Sequence, residues 1–313
     1  MNSPGADDFA AWKKTLEETK GIQFFETVQE VPTPPVEGER RMAIISARTA
    51  DNPKLFDACL SIGCHSVYLE KPGAPTVQEL EQMNEKARKA CVTVLMGFNK
   101  NVAKYSTKTR EEAKKGGKVI FVHNNNYSKE QLGECFERNA EGMLKNMAIH
   151  ELALAVTFYN VTTDTIADVI ADKDYSSCQT LTGPSGKNFT DFDKLKFTIK
   201  TKDGAEVSIA ADRCGGDDSV GIVTDEATEK ELFRYSMPDE EDEANIPKLE
   251  ARNPNAMPYF YVQDADYATL KERIAKNCVD GTPVEGVASI DVAVETLKVA
   301  EYLSPLLQKQ LLE

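Results

Sequence analysis

The sequence predicts two folded units: an α/β unit built on a parallel sheet over residues 1–100, followed by an α+β unit with a mostly antiparallel open sheet over residues 101–313. Two observations carry this division. In the first hundred residues, short apolar runs alternate with helix-patterned runs of about 10 to 15 residues, the rhythm of parallel strands joined by right-handed crossovers. Beyond Lys118 the alternation stops, and strand-like runs recur with hairpin signals such as Lys202-Asp203-Gly204 between them. Asp-Gly supplies the positive φ angles that a tight hairpin needs.

Along the first unit, residues 7–20 read as an amphipathic helix, with Phe9, Trp12 and Leu16 spaced by three and four and Gly21 placed as a C-cap. A short strand follows at residues 22–25. A proline-rich connection from Pro32 to Pro35 leads to a second strand at residues 42–47, nearly all apolar as a strand buried on both faces should be. A helix over residues 53–62 precedes the strand Val67-Tyr68-Leu69. Thr76-x-x-Glu79 is a capping-box pattern opening the next helix, and residues 92–96 form a fourth strand that ends at Gly97.

In the second unit the expected elements are strands at residues 119–122, 195–200, 206–211 and 221–223, and one helix over residues 143–158. A closing helix carries Val287, Ile290, Val294 and Leu297 on one stripe until Ser304-Pro305 interrupts it, and it is placed to pack back on the first unit. There is no internal repeat and no low-complexity segment.

Composition bounds the function. With 37 Lys and Arg against 51 Asp and Glu, the formal net charge of -14 opposes binding to nucleic acid or to an anionic membrane surface. Part of that charge is the acidic run Pro238-Asp239-Glu240-Glu241-Asp242-Glu243, which reads as a solvated loop. Seven scattered cysteines without a Cys-x-x-Cys pair fit a reducing, cytoplasmic setting. No apolar run reaches membrane-spanning length, and the N-terminal residues show no secretion signal, although a removed organelle-targeting segment is compatible with them. Only three histidines are present, and Leu154 stands where a zinc-binding His-Glu-x-x-His helix needs its second histidine, so no metal site is expected.

The carboxyl ends of parallel strands turn their loops toward one crevice, which brings together Arg48-Thr49-Ala50, Glu70-Lys71-Pro72 and Gly97-Phe98-Asn99-Lys100. With the later segment Asn146-Met147-Ala148-Ile149-His150-Glu151, the pattern resembles the glucose-fructose oxidoreductase/inositol dehydrogenase (Gfo/Idh/MocA) family. In that family a Rossmann domain ends in a Glu-Lys-Pro turn, followed by a Gly-Phe-x-x-Arg segment and an Asp-x-x-x-His helix. The likeness runs from Asp7 to the final helix.

The resemblance implies an NAD- or NADP-dependent oxidoreductase acting on a polyol, sugar or related hydroxyl compound. It places Lys71 and His150 at the reacting hydroxyl, with Asn146 where the family carries aspartate; positions i and i+4 of one helix share a face, so Asn146 and His150 can address the same cleft. It places Thr49, Glu70, Lys71, Pro72, Asn99 and Lys100 at the cofactor, and Asn126 and Tyr127 at the substrate. It also implies a homo-oligomer joined through the C-terminal sheet. Bland readings stand beside each of these: Glu70-Lys71-Pro72 as a surface turn, His150 as a core histidine, and Asn124-Asn125-Asn126-Tyr127 as an Asn-rich turn. Tyr259, Tyr261 and Tyr267 read as core and boundary aromatics.

Two departures from the family weigh against surviving catalysis. Asn146 is an amide, which neither takes a proton nor holds negative charge. No Gly-x-Gly turn precedes the first helix, although the family's first strand, its glycine-rich phosphate turn and its second strand belong there. That first strand sits in the middle of the sheet, so without it residues 22–25 should separate from residues 42–47. Three explanations stand: a front segment outside this sequence, another segment or chain in its place, or a scaffold that has given up cofactor binding. The last makes the alternative function a catalytically degenerate binding or assembly subunit.

Overall fold

A computed structural model describes residues 9–33, 37–254, 256 and 258–313. The expected helix start at Asp7 and the prolines Pro34 and Pro35 lie outside these residues. Helix α1 spans Phe9–Lys20 and buries none of its side chains. Residues 22–25 form no strand and pair with no described strand. A strand needs a neighbouring ladder for its N–H groups; this segment instead sets Phe24 edge-on against Phe9 and Trp12.

The first sheet is parallel, in the order β1 (Met42–Ile45), β2 (Ser66–Leu69), β3 (Thr93–Met96). Helices α2 (Asn52–Ser61) and α3 (Val77–Ala90) make its crossovers. The Thr76 hydroxyl caps α3 by accepting the Glu79 N–H; the Glu79 carboxylate accepts the Thr76 hydroxyl proton rather than completing a reciprocal backbone bond. Successive strand residues face opposite sides. Val67, Leu69, Val94 and Met96 pack into the main core, while Tyr68 and Leu95 face the other way. That second face is covered from far along the chain, by Leu270 and Ile274 of a long helix, which is why β2 is buried on both sides.

The second sheet has seven strands. After α4 (Lys104–Ala113) come β4 (Lys118–Asn124), α5 (Leu132–Arg138), α6 (Met143–Asn146), α7 (Ile149–Tyr159), and the strands β5 (Ile166–Ala171), β6 (Ser177–Thr182), β7 (Asn188–Thr201), β8 (Glu206–Asp212), β9 (Ser219–Thr224) and β10 (Glu231–Met237). The order is β10-β9-β4-β8-β7-β5 with β6 on β7, and every pairing is antiparallel except β4 with β8. Alternation along β4 and β7 is clear: Val119, Phe121, Leu195, Phe197 and Ile199 are buried, while the intervening residues are partly exposed. The Asp-Gly hairpin joins β7 to β8 as expected, with Gly204 at φ +91°.

Three further expectations are corrected. The single helix expected over residues 143–158 is two helices, α6 and α7, because the chain turns at residues 147–148: Ala148, at φ -76° and ψ 3°, leaves helical geometry and its N–H turns back to the Met143 carbonyl. The acidic run is no loop. Asp239 caps helix α8 (Glu240–Arg252) in a reciprocal box with Asp242, and the following acids fill the first turn, where the helix dipole favours negative charge. Finally, Ser304-Pro305 does not end the last helix. After α9 (Pro258–Asp280), helix α10 runs Ile290–Leu312 through Pro305, and the Ser304 hydroxyl bonds the Ala300 carbonyl. Buried Leu303 and Leu307 on either side hold that helix against the core, and tertiary packing outweighs the local cost of proline.

The two sheets are joined through their helices. The approach of α10 is anchored by the Met96 N–H donating to the Ala288 carbonyl, and the helix itself packs on α3, α6 and α7. Helix α9 covers the opposite face of the first sheet. Replacing the α8 cap, Asp239→Ala, removes the box and one of three carboxylates that hold the Lys104 ammonium. The expected cost is about 1–2 kcal/mol, read by urea unfolding.

Candidate active site

One large polar cavity, of about 1000 Å³, lies where the carboxyl ends of β2 and β3 meet α7, the end of β4 and helix α9. Of the residues expected from the sequence, Glu70, Lys71, Asn99, Lys100, Asn126, Tyr127, Asn146 and His150 all line it. Thr49 begins a single 3-10 turn after β1 and Pro72 follows Lys71 in a cis peptide; neither lines the cavity.

Local folding explains these placements. The Glu70 N–H donates to the Ile45 carbonyl and the Gly97 N–H to the Leu69 carbonyl, so the ladder continues one residue past β2 and β3. Asn52, buried at the start of α2, donates its amide to the Gly73 carbonyl and pins the turn from the far side. Gly97 has no room for a side chain: a Cβ there would lie 2.6 Å from Glu70 Oε2 and 2.8 Å from the Tyr68 hydroxyl. The Tyr68 hydroxyl donates to Glu70, whose carboxyl is pushed up by burial.

Lys71 reaches across the cavity floor, and its Nζ donates to the Asn146 carbonyl at 2.8 Å. In an unbroken helix that carbonyl would accept the His150 N–H. The break at residues 147–148 frees it, and the lysine takes the vacated place. The same break overturns the expectation that Asn146 and His150 share one helical face. The Asn146 side chain donates instead to Glu141 at 3.0 Å. Burial lowers the Lys71 pKa, against the opposing pull of Glu70 and Glu141.

Behind His150 stands a charged network that the sequence did not reveal. Glu151, fully buried, pairs with Lys100 at 2.8 Å and with His123 Nδ1 at 3.1 Å, and accepts the Tyr105 hydroxyl at 3.3 Å. Burial works against its charge, but Lys100 and His123 hold the carboxyl well below the usual carboxylate range. The signal lay in strand parity: His123 falls on the same side of β4 as Val119 and Phe121, the side that carries α7. The expectation of Lys100 beside a cofactor is qualified by this pairing.

His150 is almost fully buried, its ring edge-on to Phe98 and His123, and its Nδ1 has no hydrogen-bond partner. Burial, with the Lys71 and Lys100 charges, drives its pKa well below that of free imidazole. The ring is therefore neutral near pH 7 and able to accept a proton. Asn126 bridges to Cys214, and the Tyr127 hydroxyl accepts from Arg138 at 2.6 Å.

Helix α9 supplies the wall that sequence reading missed. Tyr259, Gln263, Asp266 and Tyr267 repeat at helical spacing toward the cavity, and Gln263 accepts the Asn99 amide at 3.1 Å. Tyr261 alone among the three tyrosines is core, its hydroxyl donating to the Asn253 carbonyl. Among the described residues no cluster suits a metal ion, and no helix is long and apolar enough to cross a membrane.

Lys100→Met leaves the Glu151 charge buried with weaker compensation. Unfolding measurements should show a loss of about 3–5 kcal/mol, with a smaller loss when Glu151 is replaced by Gln in the same chain.

Comparison with known proteins agrees with this architecture. Residues 6–98 match the model of an oxidoreductase family with an NAD-binding Rossmann fold, GFO_IDH_MocA. No curated protein matches at the sequence level. Among solved structures, the chain resembles a myo-inositol dehydrogenase from Corynebacterium glutamicum at 17% identity and TM-score 0.66, covering 94% of this chain and 85% of that one. An apo scyllo-inositol dehydrogenase from Lactobacillus casei aligns at 13% identity and TM-score 0.64, covering 96% and 86%. A UDP-N-acetylglucosamine 3-dehydrogenase from Acidithiobacillus ferrooxidans aligns at 13% identity and TM-score 0.61, covering 98% and 89%. The N-terminal module, residues 6–98, matches the GFO_IDH_MocA family, and the chain as a whole shares the two-domain fold of these dehydrogenases.

Proposed function

We propose that the protein is an NAD(P)-dependent oxidoreductase that interconverts a hydroxyl and a carbonyl on a polyol, sugar or related compound. The observation that carries this reading is the pairing, in one cavity, of the Lys71 ammonium with a neutral His150 imidazole. The imidazole takes the hydroxyl proton as the carbon is oxidised, and the lysine stabilises the oxygen as negative charge develops. Amides and phenols on the facing wall, Asn126 and Tyr127 among them, both donate and accept and so suit a ligand with many hydroxyls.

The residues at the ends of β2 and β3 fit the nicotinamide end of a cofactor: Glu70, Lys71 and Asn99 line one side of the cavity, and the Asn99 Oδ1 has no partner. Glu70, Lys71 and Asn99 would hold the nicotinamide there, and it would supply the hydride acceptor or donor. The glycine of the turn after β2 is required by packing. A Cβ on Gly73 would meet Leu80 Cδ1 at 2.8 Å, so that turn is packed on the core.

One observation favours a second reading, a degenerate family member that binds a polyol without turning it over: the Asn146 side chain is committed to Glu141, and the ring of His150 has no carboxylate hydrogen-bonded to it. The two readings part on cofactor binding. In the first, NAD(H) or NADP(H) raises the melting temperature by mass action; the absence of any shift at millimolar cofactor would favour the second. Association of copies through the exposed face of the seven-stranded sheet, with its hydroxyl pairs Thr180–Thr190 and Thr198–Ser208, fits either reading and is checked by analytical ultracentrifugation.

If the first reading holds, Lys71→Ala and His150→Ala each lower the rate of polyol oxidation by about 10²–10⁴-fold. The pH profile carries a sign. His150 must be neutral to act as base, and its pKa is depressed, so oxidation should persist below pH ~6.5, where a free imidazole would already be protonated. An acid limb at or above that pH, in steady-state assays, contradicts the role given to His150.

A further inference from the structure

The charged side chains of the cavity differ in how they are already engaged. Lys71 donates to the Asn146 carbonyl, Lys100 to Glu151 and Arg138 to the Tyr127 hydroxyl, while Lys271 stands beside the rings of Tyr68 and Tyr267. Glu70 accepts the Tyr68 hydroxyl and Asp218 accepts the Asn124 amide. Asp217 and Asp264 are unbonded but exposed; Asp266 is the one buried acid of the cavity lining without a partner. It is 5% exposed, lines the cavity from the middle of α9, and has no hydrogen-bond partner among the described residues. Of the cations that act on it, Lys100 has its ammonium directed to Glu151 and Lys104 to Asp239, Glu241 and Asp242.

A carboxyl so placed is costly to leave unpaired, because no protein donor compensates it and it meets solvent only through the cavity. Burial and the charge of Asp242, against the opposing Lys100 and Lys104, push its pKa up to about 7. The remaining acids at the rim, Asp217 and Asp264, add negative potential at the entrance. An anionic ligand group would therefore meet carboxylates at the entrance, while of the cations within, Lys100 is committed to Glu151 and Lys71 is placed for the reacting oxygen.

We infer that Asp266 is the specificity-determining residue of the cavity: it accepts a hydrogen bond from a hydroxyl or amino group of the ligand and restricts the site to neutral or amino-bearing polyhydroxy compounds, against carboxylated or phosphorylated ones. This rests on the reading of the cavity as a polyol or sugar site. The ligand donor supplies what α9 leaves unsatisfied, and the flanking Gln263 and Tyr267 fix its approach. A neutral ligand also avoids placing a second charge near Glu151, whose buried balance with Lys100 and His123 is already complete.

The test is titration calorimetry on the full chain with myo-inositol, glucosamine and glucose 6-phosphate, each with and without saturating NADH or NADPH. Wild type should bind myo-inositol or glucosamine at least tenfold more tightly than glucose 6-phosphate. Asp266→Asn, nearly isosteric, should weaken the favoured ligand about tenfold or more and narrow its margin over the phosphate. Asp266→Glu keeps the charge and should fall between them, and thermal melts of both variants establish that they fold. Preferential binding of glucose 6-phosphate by wild type, or unchanged affinities in a folded Asp266→Asn, overturns the role of Asp266 while leaving the polyol reading intact. If wild type binds none of the three under any condition, the polyol reading falls and Asp266 with it.

Discussion

The buried pair between Lys100 and Glu151 ties together what would otherwise be separate pieces. Lys100 stands just beyond the last strand of the parallel sheet, Glu151 on the first turn of α7, and His123 at the end of β4 in the second sheet. Two charges removed from water at such depth are tolerable only when each is fully matched. Glu151 meets this demand with three partners from three elements, Lys100, His123 and Tyr105, and so fixes the relative positions of those elements. The cavity opens directly beside it, and the electrostatics of His150 follow, since the Lys100 charge is among the influences that keep that ring neutral.

Helices late in the chain complete a site begun early in it. The first sheet offers apolar residues on both faces, and only one face is covered by its own crossover helices. The other receives Leu270 and Ile274 of α9, and in binding there the helix turns Gln263, Asp266 and Tyr267 toward the cavity. Hydrophobic burial and site construction share one stripe of the helix, since Gln263, Asp266, Tyr267, Leu270 and Ile274 are spaced by three and four: the apolar end of the stripe lies on the sheet and the polar end at the cavity.

Much of this was legible in the sequence and some was not, for identifiable reasons. Strands β2 and β3 and the turns that follow them were readable because apolar runs ended in Glu70-Lys71 and Gly97. Local pattern also identified the Asp-Gly hairpin. Residues 22–25 carried a strand's composition, but strand formation depends on a partner that composition does not reveal. The acidic run of α8 looked solvated because capping and the field of a helix end depend on where the helix starts. The pairing of Lys100 with Glu151 joins residues 51 positions apart, and no one-dimensional pattern reports it. The tyrosines of α9 were seen, but which of them faced the cavity depended on the face the helix offers to Tyr68 and Leu95.

The interruption between α6 and α7 alters the meaning of the residue at position 146. The lysine that crosses the cavity is held by a main-chain oxygen, which every amino acid carries. The anchor is therefore a property of the chain's path through Met147 and Ala148 rather than of a side chain. The identity of residue 146 is thereby released from the duty of holding Lys71, and an amide there coexists with an ordered ammonium. What evolution must preserve to keep that lysine in place is a bend.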